Sequence, residues 1–189
     1  LIRRHGMKSL TVFCGSSEGN ELGHVRAAKK FGQIAASYGV EIVYGGSSTG
    51  LMGAIADGAL NAGGKVTGII PEDLMPREIA HQNLTQLISV KSMHERKMCM
   101  YERGHAFVAL TGGIGTLEEF MEVLTWGAVG HHHKPCALYN VDHYYDPLKD
   151  LLEHMVEQGF LARTVKENII IEDDPDLLLS KLIGIKEEN

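Results

Sequence analysis

In Val40-Glu41-Ile42-Val43-Tyr44-Gly45-Gly46-Ser47-Ser48-Thr49-Gly50-Leu51-Met52 an apolar run meets a turn and then a helical pattern. The β-branched and aromatic residues of 40–44 favour a strand, and the Gly-Gly-Ser-Ser that follows cannot continue it. From Leu51 to Ala62 apolar residues recur at helical spacing until Gly63-Gly64 closes the segment. The same unit lies on either side. Upstream, Leu10–Cys14 reads as a strand, Gly15-Ser16-Ser17 as its exit loop, and Val25, Ala28, Phe31, Ile34, Ala35 and Tyr38 as a helix face ahead of Gly39. Downstream come strands at 66–70, 87–90, 106–110, 136–141 and 168–171, and helices at 93–103, 117–128, 145–158 and 175–183. Residues 71–83, with two prolines, are expected to form a long loop or a broken helix. Strands alternating with helices predict an α/β fold, a doubly wound parallel sheet with helices on both faces. Ligands of such sheets bind at the carboxyl ends of the strands, near the switch in strand order.

The chain of 189 residues has length for one domain, expected to span 8–185, with 1–7 outside it. Its 44% hydrophobic and 22% charged residues are ordinary globular composition. A net charge of −6 gives no broad basic field, so nucleic acid is not an expected partner. No apolar run reaches the roughly 20 residues that span a bilayer, so no membrane partner is expected either. Cys14, Cys99 and Cys136 lack the pattern of a disulfide framework or a metal site, which suits a reducing, cytoplasmic setting. The adjacent His131, His132 and His133 cannot all face one ion from a regular element and are read as a loop; no metal is expected.

Three strand exits are rich in small donors: Gly15-Ser16-Ser17, Gly45 to Gly50, and Thr111-Gly112-Gly113-Ile114-Gly115-Thr116. Glycine lets a ligand approach the backbone closely, and the N–H groups opening a helix attract anions. Neither a P-loop nor a Gly-x-Gly-x-x-Gly dinucleotide motif is in place, so a mononucleotide fits better than ATP or NAD.

Two helices carry candidate chemistry. Ser92-Met93-His94-Glu95 opens one with a capping-box pattern. At about 100° per residue, Arg96 falls on the side of Met93 and Met100, either snorkelling outward or aimed at a partner. Thr116-Leu117-Glu118-Glu119 is also a capping-box pattern, with Glu119 placed to reach back to the helix start. A capping glutamate needs no catalytic role. Yet Glu119 and Glu122 also share a face that could serve a developing positive charge, and both readings stand at this point.

Thr111 to Glu119 resembles the Pro-Gly-Gly-x-Gly-Thr-x-x-Glu signature of the LONELY GUY family, and Ser92-Met93-His94-Glu95-Arg96-Lys97 resembles its second motif. Those proteins are cytokinin riboside 5′-monophosphate phosphoribohydrolases, once widely labelled lysine decarboxylases. The similarity continues through 12–17, 44–46, 50–53, Lys134-Pro135 and Asn140-Val141-Asp142, nearly the whole chain. The resemblance implies a Rossmann-like fold, a homodimer, and hydrolysis of a nucleoside 5′-monophosphate to base and ribose 5-phosphate without cofactor or metal. By motif position it implies Arg96 and Glu119 as the catalytic pair, and Gly112, Gly113, Gly115 and Thr116 as the phosphate loop. Glu78, Lys97, Glu118, Glu122 and Thr125 are further expected substrate contacts, joined by Gly15, Ser16 and Gly46 of the other two loops. Thr111 stands where the motif has proline, and Ser47 where a third glycine is common.

Two rivals follow from fold and label. A non-catalytic carrier of the molybdenum-cofactor type would keep the glycine loops and need neither Arg96 nor Glu119. A pyridoxal-phosphate decarboxylase would need a Schiff-base lysine with its supporting acid, a constellation not visible here. Which base is preferred, adenine or one with an apolar N6 tail, depends on pocket shape.

Overall fold

A computed structural model describes residues 7–75 and 79–184. The terminal stretch 1–6 and the candidate contact Glu78 lie outside the described residues. Met7 packs at the margin of the core.

The strands are β1 (Ser9–Phe13), β2 (Glu41–Tyr44), β3 (Val66–Pro71), β4 (Gln86–Val90), β5 (Ala106–Ala109), β6 (Cys136–Tyr139) and β7 (Ile169–Glu172). The helices are α1 (Leu22–Ser37), α2 (Gly50–Asn61), α3 (Met93–Arg103), α4 (Ile114–Ala128), α5 (Asp146–Glu157), α6 (Arg163–Glu167) and α7 (Pro175–Gly184). All seven strands form one parallel sheet in the order β4-β3-β2-β1-β5-β6-β7. This is the doubly wound architecture expected. The chain runs outward from β1 to β4, then returns to the other side of β1 with β5. The switch in strand order therefore falls between β1 and β5, where the Gly15 and Gly112 loops leave the sheet.

Period-two alternation divides the core into two layers. Leu10 and Val12 of β1, with Cys14 just beyond it, face a layer built with α1, α2 and α7, while Phe13 faces the layer of α3, α4 and α5. Helices α1 and α2 meet backbone to backbone. A Cβ on Gly58 would lie 2.1 Å from Lys29 O, and one on Gly32 would lie 2.3 Å from Ile55 O. The buried side of α1 is accordingly small, Ala28, Gly32 and Ala35 around Phe31, and Tyr38 is left exposed. Thr11, buried against α3, donates its hydroxyl to Met100 O at 2.7 Å, which satisfies a polar group inside the layer.

Three local expectations need correction. Helix α4 starts at Ile114, three residues before Leu117, with Gly113 as an N-cap in extended conformation and no side-chain cap. The pattern at Thr116–Glu119 is therefore not a capping box, because Thr116 already lies inside the first turn. Strand β6 stops at Tyr139, since Val141–His143 forms a short 3-10 turn. Helix α6 was not anticipated; at five residues it is too short to show a periodicity.

Candidate active site

Arg96 is 5% exposed, inside the sheet layer rather than snorkelling to solvent. Its Nε donates to Ile69 O at 3.0 Å and its Nη2 to Gly45 O at 2.6 Å. The helix that carries it is well started: Ser92 accepts from Glu95 N–H at 3.2 Å, and Glu95 Oε2 accepts from Lys91 N–H at 2.8 Å. The capping expectation for α3 thus holds. Gly45 is the residue that admits the guanidinium, because a Cβ there would sit 2.1 Å from Nη2.

Glu119 is half-buried in the second turn of α4. Its charge and that of Arg96 both act on the thiol of Cys14, at the end of β1. Burial first, then Glu119, pushes that thiol far above its ordinary ionisation range, with Arg96 pulling the other way. Cys14 is therefore a neutral packing residue, close enough to the cation of α3 and the carboxylate of α4 to feel both charges. The adjacent residues link the two helices. Lys97 Nζ donates to Glu118 at 2.6 Å and to Glu122 at 3.1 Å. Desolvation alone would lower the Lys97 pKa, but these two carboxylates together raise it above its usual value. Lys97, Glu118 and Glu122, each expected to touch substrate, thus meet one another.

The three glycine loops also come together. Gly15 N–H donates to Thr111 O at 3.0 Å, and Gly15 O accepts from Met52 N–H at 3.2 Å. Gly113 and Gly115 are exposed at the start of α4, whereas Thr116 is buried beneath Gly112. The first N–H groups of a helix lack intrahelical acceptors, and no side chain caps these, so they form an anion-attracting end. Beside it lies a cleft of ≈ 350 Å³ bounded by Gly15, His24, Thr111, Gly112, Gly113 and Tyr144, with the exposed Glu18 and Glu21 also lining it.

Other expected contacts are not among the residues that line this cleft. Gly46 is buried with φ +81, its carbonyl accepting from His81 N–H at 3.0 Å. Ser47 turns its hydroxyl onto Thr49 at 2.9 Å, so a side chain at that position serves the turn itself. Ser16 is exposed in the β1–α1 loop, and the exposed Thr125 donates to Met121 O of its own helix at 2.6 Å. Of the three adjacent histidines only His132 is buried. It bonds Val123 O at 2.7 Å and accepts from Lys134 N–H at 3.0 Å, and desolvation lowers its pKa. Among the described residues no group of side chains is arranged to hold a metal ion.

Sequence reasoning missed Gly45, His24 and Tyr144. Gly45 sat inside a quoted loop, but its partner is Arg96, 51 residues away. Nothing in the periodicity of the sequence pointed to Tyr144 or His24.

With this geometry in place, comparison with known proteins is decisive. Residues 52–182 match a family model described as "Possible lysine decarboxylase". A cytokinin riboside 5′-monophosphate phosphoribohydrolase of Rhodococcoides fascians is 45% identical over 168 residues, 88% of this chain and 85% of that protein. The chain belongs to the LONELY GUY family. An enzyme of the same name from Arabidopsis thaliana is 43% identical over 93% of this chain and 82% of its own length. One from Oryza sativa subsp. japonica is 40% identical over 95% and 74%. Solved structures similar to this family member include a molybdenum cofactor binding protein of Rippkaea orientalis. It has a TM-score of 0.69 and 21% identity, and the match covers 93% of this chain and 94% of that one. A molybdenum cofactor carrier protein of Chlamydomonas reinhardtii gives 0.67 at 18%, covering 92% and 95%. At such identities the likeness concerns the fold alone.

Proposed function

We propose that this family member hydrolyses the N-glycosidic bond of a purine or cytokinin nucleoside 5′-monophosphate, releasing the base and ribose 5-phosphate. One observation carries the reading: a buried Arg96, hydrogen-bonded to two main-chain carbonyls, and the Glu119 carboxylate lie on two helices that Lys97 ties together through Glu118 and Glu122, beside an uncapped glycine-rich helix start. The names of its relatives support it. In the reaction water adds to C1′, the bond from C1′ to the base nitrogen breaks, and its electron pair leaves with the base, which takes up a proton. Positive charge builds on the ribose, as in glycoside hydrolysis. Glu119 stabilises that charge and activates the water. Arg96 holds a fixed cation that orients Glu119 and the sugar phosphate. The N–H groups of Gly112, Gly113, Gly115 and Thr116 anchor the 5′-phosphate, a source of binding energy remote from the breaking bond.

The decarboxylase label fits the residues less well. A Schiff-base lysine works through its neutral amine, whereas the pKa of Lys97 is raised by the two carboxylates that hold it. The carrier reading leaves the buried Arg96 without a task. We further assign the protein to the cytoplasm, which suits its three free cysteines, and to a homodimer joined through exposed Leu87 of β4 and Met93 and Met98 of α3. Among the described residues no helix is long and apolar enough to cross a membrane.

The test is base release, followed by chromatography, from AMP and isopentenyladenosine 5′-monophosphate, each beside its dephosphorylated nucleoside. Release from the monophosphates alone is expected, and their ratio reports the preferred base. No release from any of the four overturns the reading in favour of a binding protein.

A further inference from the structure

Asp142 and His143 are consecutive non-glycine residues with positive φ, 49 and 61. Side chains rarely accept that region, and a backbone stays there only where its surroundings over-determine it. Here they do. Asn140 Nδ2 donates to Asp146 Oδ1 at 2.8 Å, and Asn140 Oδ1 accepts from Tyr145 N–H at 2.7 Å. His143 Nδ1 lies 3.0 Å from Asp146 Oδ2. The braced turn carries the chain from β6 into α5 and directs two tyrosines at one segment. Buried Tyr145 donates its hydroxyl to Leu110 O at 2.5 Å; Tyr144, 43% exposed, donates to Gly112 O at 2.6 Å.

The carbonyl between those two, Thr111 O, is held by Gly15 N–H at 3.0 Å. Three successive carbonyls entering α4 are therefore tied. No peptide among the described residues is cis, and in a trans peptide the N–H points away from its C=O. Tying Leu110, Thr111 and Gly112 O consequently sets the directions of the N–H groups of Thr111, Gly112 and Gly113. Only the Gly112 tie comes from an exposed side chain. That side chain is itself steadied, because the His24 ring packs edge-on against Tyr144 with centroids 5.7 Å apart. His24 Nδ1 also lies 3.1 Å from Thr111 Oγ1. Thr111 occupies the position where the family motif has proline, whose ring would stiffen the loop by itself.

We propose that Tyr144, aimed by the strained 140–145 turn and steadied by His24, is a positioning residue that fixes the phosphate-holding loop. In this chain the His24–Thr111–Tyr144 contacts supply the rigidity that a proline ring would give. The proposal rests on the reading of Gly112–Thr116 as the phosphate contact. Its consequence is specific: losing the tie weakens whatever carries the phosphate and spares what does not.

Tyr144→Phe removes the hydroxyl and keeps the ring against His24. Calorimetric titration of the whole protein with ribose 5-phosphate and with AMP should show affinities reduced roughly fivefold or more, the worth of one ordinary hydrogen bond. Adenosine affinity should stay with the wild type, the thermal midpoint should fall by about 2–4 °C at most, and with AMP as substrate KM should rise more than kcat falls. Unchanged affinity for ribose 5-phosphate overturns the proposal, as does an equal loss for adenosine, or no ribose 5-phosphate binding by either protein. The binding readout is independent of catalysis. A protein that releases no base yet loses ribose 5-phosphate affinity on Tyr144→Phe sinks the enzyme reading and supports this one.

Discussion

A guanidinium taken out of water must find acceptors for its donors, and Arg96 finds two of them in the main-chain carbonyls of Ile69 and Gly45. Helical spacing put Arg96 among apolar neighbours but could not say whether it turned inward, since an arginine on such a face snorkels as readily as it buries. Gly45 decides the matter, and for a steric reason. Its φ is not in the positive range, so alanine would suit the backbone; what it excludes is a Cβ at 2.1 Å from Nη2. We expect Gly45→Ala to displace the guanidinium, lower kcat by about 100-fold and cost about 1–3 kcal/mol of stability. Steady-state kinetics and urea denaturation check it, and an alanine variant with wild-type turnover would remove Arg96 from the mechanism. Glu119 belongs to the same scale. With Gly113 as the N-cap of α4, its carboxylate has no capping duty. Glu119→Gln is expected to lose about 100-fold or more in turnover while AMP still binds. Near-normal turnover in that variant would refute its catalytic role.

At the scale of elements, two helices with the same Ser/Thr-x-x-Glu pattern start in different ways. Ser92 and Glu95 cap α3, whereas α4 begins three residues before the expected Leu117 on a bare glycine. The pattern was legible in both places, but a capping box works only where the chain reaches its first residue in extended form. At Thr116 it does not, because Gly113 has already made that entry. An N-terminus without a side-chain cap suits a helix whose first N–H groups serve a ligand. Lys97 joins the two helices next to the catalytic candidates, through Glu118 and Glu122. Its folded pKa lies above the ordinary 10.5, so the link is fully present below that pH and is lost as pH rises through the folded value. Glu118 is 56% exposed, and solvent screening holds the whole link to about 1 kcal/mol or less. The stability gap between wild type and Lys97→Met should accordingly be constant at neutral pH and vanish in strongly alkaline buffer. A gap that persists there would mean that Lys97 stabilises through the packing of its stem alone.

For the whole molecule, the parallel sheet leaves β4 at one edge and β7 at the other. The β4 edge is largely exposed and runs into α3, which shows Met93 and Met98 to solvent at 42% and 44%. If copies of the chain pair there, sedimentation equilibrium should give twice the mass of one chain, and Met98→Lys should shift the protein toward the monomer. A wild type that sediments as a monomer at micromolar concentration would discard the homodimer. The sequence by itself determined the alternation of strands and helices, which strand exits were rich in glycine, and which side chains could hold charge. All of these follow from local periodicity and from residues whose backbone preferences act within a few positions. Tertiary structure alone decided the strand order that sets the Gly15 loop beside the Gly112 loop. It also decided that Arg96 turns inward onto Gly45 and that Tyr144 closes on the carbonyl of Gly112. Those pairs are separated by 51 and 32 residues, and a contact of that span is fixed by how packed layers fit together, which no local pattern encodes.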